Sequence, residues 1–174
     1  MEVENKKVLY SRAAIERRVR ELAEKISSDY RGQELVLIGV LKGAFIFMAD
    51  LIRQMSIPCF VDFIRAASYG SSSISCGEVM IRKDIETDIR GKNVLIVEDI
   101  IDTGITLDFL VKKLKEREPA SLKVCAFIDK RRRRKIEFEA DYVGFTMEDG
   151  FLVGYGLDFN EKSRFHPEVY IIEE

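Results

Sequence analysis

The sequence predicts an α/β fold built on a mainly parallel sheet. Three observations carry that expectation. Short apolar runs alternate along the chain with amphipathic helical patterns, the arrangement of right-handed crossover units. One run, Val94-Leu95-Ile96-Val97, contains no polar residue, as a strand buried on both faces requires. Carboxylates, a glycine-containing turn and a helical pattern at Leu107, Leu110, Val111 and Leu114 come straight after it.

The elements read in order as follows. Val8-Leu9-Tyr10 is a short apolar run, and Ser11 sits where a helix N-cap belongs. Ile15, Val19, Leu22, Ala23 and Ile26 recur at helical spacing, and that helix is expected to end near Ser28. Leu35–Val40 reads as the first buried strand, Leu41-Lys42-Gly43 as a tight turn and Ala44–Met55 as an apolar helix. Pro58 marks a boundary before a strand at Phe60–Ile64. Ser68 to Gly77 is rich in Ser and Gly, cannot cover a core, and is expected to be a mobile loop. Glu78 to Ile81 reads as a return strand and Asp84 to Gly91 as a polar connection. Pro119 stops the helix after the central strand. Further strands are expected at Leu122–Ile128, Tyr142–Phe145, Phe151–Val153 and Val169–Ile172. No internal repeat or low-complexity linker interrupts the pattern.

Composition narrows the function classes. A chain of 174 residues, 47% hydrophobic, is expected to form one domain with one sizeable core. The charge of −2, from 28 basic and 30 acidic side chains, gives no global bias toward nucleic acid or a membrane. No stretch approaches the roughly 20 apolar residues of a membrane span, and Met1 to Lys7 has no apolar signal region. A cytoplasmic protein is therefore expected. Cys59, Cys76 and Cys125 form no C-x-x-C pair and read as reduced thiols. His166 is the single histidine, so a zinc centre or a Cys-His nucleophile has little support.

The segment from Val94 to Leu107 carries the chemistry. Glu98 and Asp99 end the strand, and a short turn with Asp102 and Thr103-Gly104-Ile105-Thr106 leads into the helix. In open parallel sheets ligands bind beyond the carboxyl ends of the strands. Backbone N–H groups at the helix N-terminus make a phosphate cradle, and the threonine hydroxyls add donors. Gly104 lets the backbone approach a ligand closely. Three carboxylates would repel a phosphate. The conflict resolves if the ligand is a sugar phosphate with a divalent metal, because Glu98 and Asp99 can accept from a vicinal diol or help to hold hydrated Mg²⁺. Other readings are an ordinary strand-turn-helix with acidic caps, or a receiver domain. In receiver domains the acidic strand opens the fold, whereas here more than half the chain precedes it.

As a whole string, this segment resembles the motif that binds 5-phosphoribosyl 1-pyrophosphate (PRPP) in the phosphoribosyltransferases. Its Val-Glu-Asp-Ile-Ile-Asp-Thr-Gly form looks like the 6-oxopurine branch of that family. The resemblance runs from about Val8 to the C-terminus. It implies the type I phosphoribosyltransferase fold, a core sheet over about 34–145 with a small hood from both chain ends, about 1–12 and 146–174. It implies Mg²⁺ as cofactor, PRPP and a free 6-oxopurine as substrates, no nucleic-acid partner, and a homodimer or homotetramer.

The resemblance also implies roles for single residues. Asp102 would take a proton from the purine imidazole ring; the plain reading is that it shapes the turn. Glu98, Asp99, Asp102 and Thr103 to Thr106, with Gly104 and Ile105 between them, would bind PRPP. Leu41-Lys42-Gly43 matches a pyrophosphate-binding loop with a cis peptide before the lysine, and Arg164 would neutralise pyrophosphate with its fork. Ser68-Tyr69 would open a lid over the reacting sugar. Lys130 would donate to the 6-oxo group, which disfavours a 6-amino purine. Phe151 would stack on the base, the Leu152 main chain would meet the purine edge, and Asp158 would lie near the purine and a second Mg²⁺, so that Glu98, Asp99 and Asp158 are the metal candidates. Arg131 to Lys135 is read as a solvated basic turn, with compensation of the acidic pocket as a second reading. Glu148-Asp149-Gly150 departs from the family, which more often has a proline before the aspartate and a bulkier residue after it. Two rival readings stay open: an RNA-binding, nucleotide-sensing regulator on this fold, supported by the basic run alone, and an enzyme for another base such as xanthine.

Overall fold

The computed structural model describes residues 5–68 and 79–172. Nine strands and three helices are found among them: β1 (Lys6–Tyr10), α1 (Arg12–Asp29), β2 (Leu35–Val40), α2 (Phe45–Gln54), β3 (Cys59–Ser68), β4 (Val79–Lys83), β5 (Asn93–Ile101), α3 (Ile105–Lys115), β6 (Ser121–Lys130), β7 (Tyr142–Met147), β8 (Phe151–Val153) and β9 (Val169–Ile172). A six-stranded sheet has the order β4-β3-β2-β5-β6-β7. Its pairings are parallel except β3 with β4, which is antiparallel. This is the expected α/β architecture. A second sheet, β1-β9-β8, is antiparallel and joins the two ends of the chain.

Period-two alternation divides the core. Leu35, Leu37, Leu95, Val97, Cys125 and Phe127 face the side covered by α1 and α2. Val36, Ile38, Val94, Ile96, Val124 and Ala126 face the side covered by α3. α1 begins as expected: the Ser11 side chain accepts from the Ala14 amide at 3.3 Å. Ile15, Val19, Leu22, Ala23 and Ile26 form its buried stripe. Arg18 pins the helix to β7 by donating to the carbonyls of Gly144 at 2.6 Å and Val143 at 2.8 Å.

Several strands run further than their apolar stretches. β5 continues through Glu98 and Asp99, and β3 extends to Ser68, because ladder pairing depends on the backbone and not on side-chain polarity. The 84–91 connection is less polar than expected. Ile85 and Ile89 are buried in the α3-side core. Asp62 holds this segment down: its carboxylate accepts from the amides of Phe63, Glu86 and Thr87 at 2.7–2.8 Å. Burial opposes its charge, but those hydrogen bonds outweigh burial and hold it below the usual carboxylate range.

Cys59 is partly buried and Cys125 fully buried, both as free thiols that burial pushes up. Cys76 and the expected lid from Tyr69 to Gly77 lie outside the described residues; Ser68 ends β3. Among the described residues, no helix is long and apolar enough to cross a membrane.

Asp62→Asn is expected to cost about 1–3 kcal/mol at pH 7, because it weakens the acceptor for buried amides. A depressed carboxylate stabilises the fold above its unfolded pKa, and that stabilisation fades as pH falls through the folded one. The gap between variant and parent, measured by urea unfolding, should therefore narrow below about pH 4.

Candidate active site

Parallel pairing brings the carboxyl ends of β2, β5 and β6 to one edge of the sheet. Three chain segments leave that edge: Leu41-Lys42-Gly43, Asp102 to Thr106, and Lys130 onward.

Gly104 is the N-cap of α3, at φ +83°, a conformation that favours glycine. The Thr103 hydroxyl accepts from the Ile105 amide at 3.4 Å. The Thr103 carbonyl accepts from the amides of Lys135 and Ile136 at 2.9 and 3.3 Å, which tethers the turn to the segment after β6. Among the described residues, the amides of Gly104, Thr106 and Leu107 have no acceptor. They border a cavity of about 240 Å³ lined by Val40, Glu98, Asp102, Thr103, Gly104 and Thr106. Open amides at a helix N-terminus suit an anion.

Glu98 and Asp99 are neighbours whose carboxyls interact. Burial raises both, and Glu98 rises well above the usual range because Asp99's charge adds to the effect. No group of three His, Cys, Asp or Glu side chains among the described residues could hold a metal unaided. The acid pair still fits Mg²⁺: the buried Glu98 and partly buried Asp99, adjacent carboxyls that disfavour each other's charge, would hold a divalent ion together with ligands from outside the chain. Asp158 is engaged differently. One of its oxygens pairs with Arg164 at 2.7 Å and the other accepts from the Glu161 amide at 2.8 Å.

The Leu41–Lys42 peptide is cis, as the resemblance implied. The turn is wedged between two segments. A Cβ on Gly43 would lie 1.6 Å from Asp99 Oδ2, and a Cβ on Gly156 would lie 2.2 Å from the Gly43 carbonyl oxygen. Only bare backbone fits at both places. Lys42 Nζ pairs with Glu161 at 2.9 Å, and Arg164 reaches the same carboxylate at 3.4 Å while donating to the Gly156 carbonyl at 2.6 Å. The lysine hydrogen bond leads the causes that hold Glu161 below the usual range.

On the other side of Asp102 lies a cavity of about 230 Å³ lined by Asp99, Asp102, Lys130, Phe151, Leu152 and Asp158. Asp102 thus borders both cavities. Its Oδ1 is buried with no hydrogen-bond partner, 3.7 Å from Lys130 Nζ, and its Oδ2 lies 3.2 Å from Arg133. Lys130 is buried and also faces Asp149 at 3.6 Å. Phe151 is half exposed, edge-on to Phe159 with ring centroids 5.5 Å apart. The Leu152 side chain is buried in β8.

The expected residues thus converge, apart from the lid. A larger cavity of about 560 Å³ beside α1 and α2 shares none of them. Within the basic run, Arg131, Arg132, Arg133 and Lys135 are exposed as expected, while Arg134 is largely enclosed against the fully buried Asp129 and Arg131 pairs with the same carboxylate at 2.8 Å. Asp149, Glu161, Asp129 and Gly156 were missed as contributors. A charged residue directly after Ile128 in an apolar strand was a usable signal, since a buried charge demands a partner.

The family model described as the phosphoribosyl transferase domain matches residues 6–160. The chain belongs to the phosphoribosyl transferase family. It is 49% identical over 169 residues to the hypoxanthine-guanine phosphoribosyltransferase of Aquifex aeolicus, covering 97% of this chain and 95% of that one. It is 46% identical over 164 residues to the hypoxanthine phosphoribosyltransferase of Salmonella typhimurium, covering 93% and 92%. It superposes on the crystal structure of a hypoxanthine-guanine phosphoribosyltransferase from Bacillus anthracis with a TM-score of 0.93 at 46% identity, over 98% of this chain and 100% of that one.

For this phosphoribosyl transferase, Gly43→Ala is expected to move either Asp99 or the 41–43 turn. Displacements of this size typically reduce turnover by about 10²-fold. Steady-state rates beside a thermal melt will separate that loss from unfolding.

Proposed function

We propose that the protein transfers 5-phosphoribosyl from PRPP to hypoxanthine or guanine, giving IMP or GMP and pyrophosphate, in purine salvage. The observation that supports this reading most is Asp102, which borders an anion-suited turn on one side and a lysine-gated cavity on the other. In this reading the open amides of Gly104, Thr106 and Leu107 hold the 5′-phosphate. Glu98 and Asp99 accept from the ribose hydroxyls and hold Mg²⁺, which supplies positive charge to the pyrophosphate when bound.

Lys42, the Gly43 amide and Arg164 receive the leaving pyrophosphate, replacing Glu161 and Asp158 as counter-ions. Phe151 stacks on the base and the Leu152 main chain meets its edge. Asp158, once released by Arg164, is free to approach the purine and the metal. Lys130 donates to the 6-oxo group. As the purine nitrogen bonds to the ribose carbon and the bond to pyrophosphate oxygen breaks, the displaced ring proton passes to the unpartnered Oδ1 of Asp102. The RNA-binding reading is weakened, because Arg134 is turned inward onto Asp129 and leaves a smaller exposed basic patch.

Spectrophotometric turnover of PRPP with Mg²⁺ against hypoxanthine, guanine, xanthine and adenine tests the proposal. Turnover of hypoxanthine or guanine is expected; none with either base would overturn it. Asp102→Asn should lower turnover by about 10²–10⁴-fold while PRPP affinity by calorimetry stays near the parent's. Lys130→Gln should erode the preference for hypoxanthine over adenine, read as the ratio of kcat/KM values.

A further inference from the structure

Arg134 stands apart from its neighbours in the basic run. Its side chain is 13% exposed, against 42%, 75% and 63% for Arg131, Arg132 and Arg133. Its guanidinium pairs with Asp129, which has no exposed surface. Its remaining donors go to backbone: Nη2 to the Lys130 carbonyl at 2.8 Å, Nε to the Asp102 carbonyl at 3.2 Å, and Nη1 to the Phe138 carbonyl.

The place of these contacts gives them meaning. The pairing of β5 with β6 ends at Ile101 opposite Asp129. Asp102 and Lys130 are the next residues on each strand, and no strand pairing joins them. Arg134 takes over where the ladder stops. A planar guanidinium offers its N–H groups in fixed directions, so two carbonyls bound to one fork cannot drift apart independently. Above those carbonyls, the Asp102 carboxylate and Lys130 ammonium stand 3.7 Å apart. On a 6-oxopurine, the ring nitrogen N7 and the 6-oxo group share one edge.

We infer that Arg134 is a positioning residue that sets the spacing of Asp102 and Lys130, and so matches the proton acceptor and the oxo-group donor to adjoining atoms of one base. The inference rests on the proposed roles of those two residues. Arg134 lines neither of the two cavities that Asp102 borders. It acts through the backbone of both partners, and it also backs the phosphate turn: its Cδ would lie 3.1 Å from a Cβ on Gly104.

The test is Arg134→Lys beside Arg131→Lys, with the hypoxanthine-to-adenine ratio of kcat/KM as readout. Lysine keeps a cation for Asp129 but cannot hold the fork. Arg134→Lys should lower the ratio by about 10-fold or more, as expected for a misplacement of around 1 Å. Arg131→Lys alters a contact to the same Asp129 without touching either carbonyl, and should leave the ratio within about 2-fold. A purely structural role would lower the melting temperature or the yield of folded protein and leave the ratio unchanged. An unchanged ratio in Arg134→Lys, or equal losses in both variants, would overturn the inference.

Should Arg134→Lys fail to fold, Asp129→Asn weakens the same anchor while the guanidinium remains. A smaller fall in the ratio is then expected, and a parental ratio counts against the inference. Lys130→Gln separates this outcome from failure of the underlying reading. If that variant also keeps the parental ratio, the role of Lys130 is wrong. If it loses the ratio while Arg134→Lys keeps it, only the positioning role is wrong.

Discussion

The apolar stretch of β5 has no face in water. Val94, Leu95, Ile96 and Val97 have no exposed surface, with Leu95 and Val97 packed toward α1 and α2, and Val94 and Ile96 toward α3. Each such side chain stabilises the fold by about 1.5–3 kcal/mol. A slip of one residue against β2 and β6 would pull Glu98 toward the layer that Val97 fills. Burial on both sides therefore fixes where the acids begin, and the acids fix the edge at which the site is assembled. The turn after β2 is held to the same edge because Gly43 lies directly on the Asp99 carboxylate.

What the sequence made legible follows from the same physics. Apolar runs and a capped amphipathic helix depend on local periodicity, so β2, β5, β6 and α1 could be read directly. The segment from Glu98 to Thr106 could be read because its residue types have few other uses together. Arg134 could not be told from Arg132, because neighbours in a basic run differ only in which way the chain turns after β6. Ile85 and Ile89 looked like isolated apolar residues in a polar stretch until Asp62, more than 20 positions earlier, was seen to gather the amides around them. Glu161 gave no signal at all. Its part depends on Lys42, 119 positions away in the chain.

Charge in the site is largely balanced from within. Lys42 faces Glu161, Arg164 faces Asp158, and Lys130 faces Asp102 and Asp149. The exposed pairs among these are weakly held and exchange readily. Glu98 and Asp99 are the exception, two crowded acids whose raised proton affinity reflects burial. An incoming anion thus trades one carboxylate partner for another, whereas an incoming divalent cation relieves a repulsion already present.

The small sheet has a consequence for how the molecule comes into being. β8, which carries Phe151, is hydrogen-bonded to β9, and β9 is bonded in turn to β1, with Lys6 opposite Ile172. The aromatic platform therefore hangs on a latch closed between opposite ends of the polypeptide. Closure over so long a span adds only a logarithmic entropy cost at equilibrium, but contacts at such separation form slowly. During synthesis on a ribosome the six-stranded sheet can assemble while β9 is still unmade. The small sheet that carries Phe151 is then completed only after the strands of the large one have been made.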